Sequence, residues 1–418
     1  MADTSPKSAH WNFSIYVLSH WLSRTGDTLM NPKTTLVWLA ASLGVSPLLQ
    51  GLLVPVREAG SLILQPLLSG LIKGRRYRRG LWSLGALGQG AAVAGMAAVA
   101  WRAGAAGDAP AAWPGPTLLG LLALFALARG LSSVTSKDVL GRSLPQRLRG
   151  RAGGLPASLA GLTVLAAAGF GLGLIEKSIH ASTLALWLLA ATAAWWLAAG
   201  LFLGLREPAA VVDVQLRQAA MTLLLRDRLL RRFVIARGLL LCSALAPPYL
   251  VSMAQQHSAE GRSLLLFVLA GGVAALFGGL PWGRLADRSS RLTLSLAALL
   301  AASSTLAAAL LALFLPQALQ LWWALPLAFL LISLAHEGVR IGRKTWIVNI
   351  ATDGERVDYV AVSNAAMGGI LLAVGGITAG LAVWSVPAVL LTLSAAAVAG
   401  ALLGLALPEA ERSDDQAA

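Results

Sequence analysis

Gly283-Arg284-Leu285-Ala286-Asp287-Arg288-Ser289-Ser290-Arg291 packs four ions into nine residues, between apolar runs at about 262–282 and 292–315. Ions at that density are costly to place in an apolar medium, so the stretch must meet water. The reading it suggests is a short charged turn at which the chain leaves a membrane and re-enters it. Composition supports this. Of the 418 residues, 57% are hydrophobic and 12% charged, with a mean hydropathy of +0.71. A soluble domain carries about 25% charged residues. A chain this long and this apolar reads as a polytopic membrane protein.

A helix needs about 20 apolar residues to cross a bilayer. Twelve such segments can be read, at about 12–41, 46–72, 80–102, 114–138, 152–175, 181–204, 233–255, 262–282, 292–315, 319–342, 358–381 and 384–407. The expected fold is therefore all-α, with twelve transmembrane helices in two six-helix halves. The first half is 1–204 and the second 233–418, with a short acidic tail. Between them, 205–232 is the only long connection, and its mixed Val, Leu and Arg content predicts a basic amphipathic helix at the inner leaflet.

Lys and Arg alternate along these turns. Alternate turns, at 71–82, 142–151, 205–232, 283–291 and 343–356, hold 21 of them, against Arg102, Lys177 and Arg262 on the other side. The positive-inside rule then places both termini and the central connection in the cytoplasm. A bacterial inner membrane suits the Ala, Leu, Gly and Arg usage. No cleavable signal peptide is read at the start.

The two halves echo each other. Gly70-Leu-Ile-Lys-Gly74-Arg75-Arg76-Tyr77-Arg78-Arg79 follows the second segment as Gly283 to Arg291 follows the eighth. The pattern Gly283-x-x-x-Asp287-Arg288-x-x-Arg291, with its degenerate copy at Gly70 to Arg79, resembles the cytoplasmic loop motif of the major facilitator superfamily. Segment count, topology and central linker extend that resemblance over nearly the whole chain. It implies a secondary active transporter of a small solute that works by alternating access, with the solute site near the midplane between the halves. It also implies a cytoplasmic gate at Gly283, Asp287, Arg288 and Arg291, in which Asp287 latches the outward-open state. Where the family carries an acid in the first-half loop, this chain has Gly74, so that loop is expected only to fix topology. The fifth segment has Gly161, Gly169, Gly171 and Gly173 but lacks the Gly-Pro pair of many drug–proton exchangers, and its glycines permit close helix packing.

Ionisable residues inside spanning helices cost roughly 2.5–3.5 kcal/mol each and mark function or paired structure. His20, Arg24 and Asp27 share one helical face by their spacing and are expected to face a water-filled cavity. Arg24 would hold the charge of Asp27. Arg57 and Glu58 are adjacent, point about 100° apart, and are expected to meet neighbouring helices rather than each other. Arg129 is deep in the fourth segment, a donor either for an anionic solute or for Asp27 or Glu58. In the tenth, Glu337 and Arg340 are spaced to pair beside His336. These nine residues are the candidates for substrate binding or proton coupling, with Asp27, Glu58 or Glu337 carrying the proton. The surplus of guanidinium groups favours an anionic or zwitterionic solute.

Other ions are read more plainly. Arg237, Lys137 and Asp138 are expected to snorkel to the interface. Trp195–Trp196 and Trp322–Trp323 are expected in interfacial belts, and Cys242 as a packed small side chain. No nucleotide loop, metal-ligand spacing or catalytic constellation is present, so neither an enzyme nor a cofactor is expected. The basic residues sit in short turns without a nucleic-acid module. The expected partners are the solute, protons and the lipid bilayer, with the chain acting as a monomer. The alternative is a non-transporting membrane sensor or assembly partner on a transporter fold.

Overall fold

A computed structural model of the chain describes residues 6–63, 68, 72, 74–105, 112–174, 179–209, 222–258, 261–350 and 356–410. Sixteen α-helices and one 3₁₀ turn account for nearly all of them, and there is no strand among the described residues. In chain order they are α1 (Pro6–Leu29), α2 (Thr35–Ser42), α3 (Pro47–Ile63), α4 (Arg79–Ala105), α5 (Pro114–Ser143), α6 (Gln146–Leu174), α7 (Ala181–Leu203) and α8 (Thr222–Arg226). Then come α9 (Arg228–Leu239), α10 (Cys242–Ser258), α11 (Gly261–Phe277), α12 (Gly279–Arg288), α13 (Ser290–Phe314), α14 (Ala324–Ile350), α15 (Arg356–Ala382) and α16 (Val386–Leu405).

Each of the twelve expected segments coincides with a helix or a broken pair. Among the described residues, nine spans, α9–α10 included, are long and apolar enough to cross a membrane, and ten if α11 and α12, bent by 41°, form one. The α1–α2 pair and α3 carry the interior ions and a central proline, which lowers their hydropathy. The outer surface explains the composition. Leu84, Leu124, Leu197, Phe314 and Leu402 all stand exposed. Such a surface is stable only against hydrocarbon.

The helix breaks have local causes. At Asn31–Pro32 the chain turns, with the Asn31 side chain accepting from the Lys33 N–H at 2.8 Å. Proline has no N–H to give to a continuing helix. Gly44 has φ +68°, the left-handed region that favours glycine, and reverses the chain before α3. Asp227 caps α9 through the N–H groups of Leu229 and Leu230, and Ser289 caps α13 through that of Leu292. The opening stretch is accordingly helical through Arg288, and its turn narrows to the cap at Ser289. This corrects the expectation of a turn over the whole of it.

Packing recurs with a six-segment offset. Helix α4 packs on α5 and α7, as α13 packs on α14 and α16, and α1 packs on α7 as α9 and α10 do on α16. The main contacts between the first six segments and the last six are α3 with α15 and α6 with α11. The α3–α15 seam is built from small residues. A Cβ on Gly51 would be 2.8 Å from the Ala379 Cβ, and a Cβ on Gly375 or Gly368 would collide with Pro55 or Ile63. At the same end Ser252 donates to Gln50 at 2.9 Å. The glycines of α6 do something else: Gly161 and Gly169 have open space where a Cβ would stand, which corrects the packing role expected of them.

The basic turns of the first half converge at one end. Arg78 and Arg142 both pair with Asp138, at 2.5 and 2.6 Å. The fully buried Glu207 carboxylate pairs with Arg142 and accepts the backbone N–H groups of Arg78 and Arg79. An acid thus caps the N-terminus of α4, where the helix dipole favours it. The first-half loop therefore does more than fix topology, and Asp138 is tied down, not snorkelling. The amphipathic helix expected in 205–232 falls largely on residues 210–221, outside those described.

Candidate functional site

A cavity of about 290 Å³ opens between α1, the α1–α2 break, α6, α11 and α14. Its α6 and α11 walls are apolar, with Ala160, Gly161, Phe267 and Gly271. Its polar wall holds Arg24, Asp27 and Lys33 on one side and His336, Glu337 and Arg340 on the other. The non-helical backbone at 31–34 lies against it, the setting in which irregular backbone is tolerated at membrane depth.

Most of the expected residues come together here. Asp27 is held by Arg129 at 2.5 Å and by Arg57 at 3.3 Å. Arg24, three residues from Asp27, does not pair with it, because two guanidinium groups from α3 and α5 already occupy the carboxylate. Arg57 also pairs with its neighbour Glu58. That corrects the expectation that adjacent side chains do not meet. The 100° separation holds at Cβ, but the long Arg57 side chain folds back across it. Glu337 pairs with Arg340, as their spacing predicts, and His336 bonds Ser243 at 3.2 Å.

His20 lies elsewhere. Its ring stacks on Tyr16 at 3.9 Å and packs near Trp82 and Phe202, with Nδ1 against the Tyr16 carbonyl. It does not line the cavity, which departs from the face shared with Arg24 and Asp27. Aromatic neighbours, invisible to spacing, take it. Arg237 is buried and donates to Ser363 at 2.8 Å and to Asn364 at 3.1 Å, so it does not snorkel. Trp195 is also buried, edge-on to Phe125 and close against Gly26, while Trp322 and Trp323 are exposed as expected of a belt. Cys242 is buried beside Thr305.

The residues expected to form a gate lie on α12 and just beyond it. Asp287 and Arg288 are exposed and have no ion pair among the described residues. Arg291 pairs with Glu409. The kink between α11 and α12 falls at Gly278, where a Cβ would stand 3.2 Å from the Glu337 Cβ. Thr28, Asn31, Thr34 and Ser333 line the cavity outside the expected set, and Lys33 is the one charged lining residue outside it among the described residues. Its position beside Asn31–Pro32, in a break that must be lined by protein or water, was the available signal.

The description Major Facilitator Superfamily belongs to the family model that matches residues 16–305. The chain belongs to this superfamily of transporters. No curated protein matches it in sequence. Solved structures with the same fold include a D-xylose–proton symporter (17% identity, TM-score 0.67, covering 96% of this chain and 98% of that one). Another is a POT family transporter in complex with a thioalcohol-conjugated peptide (12%, 0.70, 94% and 95%). A third is a mutant form of the nucleoside transporter NupG (12%, 0.65, 94% and 99%). At these identities the likeness is one of fold. The chain is a multi-pass membrane protein built as a superfamily transporter.

Proposed function

We propose that this superfamily member is a proton-coupled secondary transporter of a small solute. The halves 1–204 and 233–418 rock about the cavity, with 205–232 linking them on the cytoplasmic side and both termini in the cytoplasm. The observation that carries this reading is the placement of ions. α1 and α14 come from different halves, and each presents a guanidinium group and a carboxylate to one solute-sized cavity. A purely structural core has no need of such groups. The small-residue α3–α15 seam and the Ser252–Gln50 bond hold the halves together along one side, a contact that alternating access would have to loosen.

For proton coupling, Glu337 is the best placed of the three carboxylates. It lines the cavity and has one guanidinium partner, whereas Asp27 has two and Glu58 lies outside the lining. A proton on Glu337 frees Arg340 for the solute, and its loss restores the pair. The structural relatives' printed solutes, a sugar, a peptide and a nucleoside, define the panel to try first, together with small organic anions. Protein reconstituted in vesicles with an imposed pH gradient is expected to accumulate one of these solutes. Glu337→Gln should reduce uphill accumulation at least tenfold while insertion and solute exchange persist. Accumulation retained in Glu337→Gln, Asp27→Asn and Glu58→Gln alike would overturn the coupling assignment.

A further inference from the structure

The cavity has more positive charge than its own acids neutralise. Arg24, Lys33 and Arg340 line it against Asp27 and Glu337, a surplus of one, while Arg57, Arg129 and Glu58 lie outside the lining and are joined to it through Asp27. The pairing is uneven. Arg57 and Arg129 are engaged with Asp27 and Glu58, and Arg340 with Glu337. Arg24 and Lys33 both line the cavity, yet neither side chain has an ion pair among the described residues. Arg24 and Arg340 line the same cavity from different halves. Arg24 is exposed to the cavity and Lys33 half-buried, so both cations are open to an incoming counter-charge that no ion pair yet supplies.

A third feature points the same way. The N-terminus of α2 opens at Thr34, a lining residue that gives the helix no side-chain cap. Lys33 immediately precedes it. Thr34 thus brings the start of α2, where the helix dipole favours negative charge, to the cavity wall next to Lys33.

We propose that the solute is a small oxyanion, a carboxylate or phosphate with no cationic group of its own, bound by Arg24, Lys33 and the start of α2. Its charge also attracts Arg340 on the opposite wall and so draws α1 and α14 together. This rests on the transporter reading above and names the class of solute. The cavity volume restricts it to a compact molecule.

Electrostatics can be tested apart from transport. Ser333→Cys places a thiol on the cavity wall, in a chain whose only other thiol, the buried Cys242, is replaced by Ala. Labelling rates with an anionic and a cationic methanethiosulfonate reagent are each normalised to a free thiol in solution. The anionic reagent should be favoured at least tenfold. Arg24→Gln with Lys33→Gln should bring the ratio near one, whereas Lys33→Arg should preserve it. Inorganic phosphate, succinate or glycerol 3-phosphate at millimolar concentration should slow labelling, and that protection should vanish in Arg24→Gln. Xylose and dialanine, as neutral and zwitterionic probes, should not protect. Equal rates, a cationic preference, or protection by xylose or dialanine alone overturns the proposal. So does an anionic preference without protection by any of the three oxyanions. Because none of these readouts needs flux, a failed vesicle assay beside an intact anion preference would count against transport alone.

Discussion

Asp27 shows how far one carboxylate is determined by its neighbours. Spacing pointed to Arg24 as its partner, one turn away on α1. The partners in fact come from α3 and α5, and Arg129 places a nitrogen within 2.6 Å of each carboxylate oxygen. Removing one member of a buried pair leaves an uncompensated charge, which costs about 3–5 kcal/mol. Arg57 remains, and Arg129 is about a third exposed. Arg129→Gln is therefore expected near the low end, about 3 kcal/mol, after allowance for screening. The checking measurement is thermal unfolding in detergent, including the double variant Arg129→Gln/Asp27→Asn. If the pair is the cause, the double variant recovers most of the lost melting temperature. A double variant less stable than either single one would show that the two residues act independently.

At the scale of elements, the α3–α15 seam and the α11–α12 kink matter most. Pro55 interrupts α3 and fits against Gly375, so two backbone defects, a missing N–H and a missing Cβ, meet at one contact. Gly375→Leu should force the helices apart there and loosen the seam. A cysteine at Gln50 should then become several-fold more reactive to an impermeant thiol reagent. Gly380→Leu is the control, since nothing lies within 4 Å of a Cβ at that position. Equal reactivity in the two variants would mean that the seam does not hold the halves together there. These contacts had only a weak trace in the sequence. Glycines occur throughout the chain, 43 in all, and only the tertiary arrangement distinguishes those at a close approach from Gly161, which borders open space.

Over the whole molecule, Gly283 to Arg291 lies just past the 41° bend between α11 and α12. Helix α12 carries Asp287 and Arg288 beyond a kink at Gly278, and the same kink touches Glu337 on the cavity wall. If Glu337 carries the proton as proposed, movement of α12 relative to α11 is expected to be felt there. Asp287→Asn is expected to shift the balance between inward- and outward-facing states and to leave solute contacts intact, because Asp287 is exposed and remote from the cavity lining. Cysteine labelling from each side of the membrane in that variant should change in opposite senses by several-fold. Unchanged accessibility on both sides would rule out the latch.

The sequence by itself determined that this is an all-helical membrane protein, where the helices run, which turns are basic, and which ions are out of place in a bilayer. Those properties are additive along the chain. Hydropathy, charge and helical period are all set by residues within about twenty of one another. Glu337 with Arg340 was legible for the same reason. Only the tertiary structure decided that Asp27 meets Arg129 and Arg57, that His20 goes to an aromatic cluster, and that Arg24 and Lys33 face a cavity unpaired. Those outcomes depend on which helices pack together, and a long side chain such as arginine can reach any of several partners within that packing.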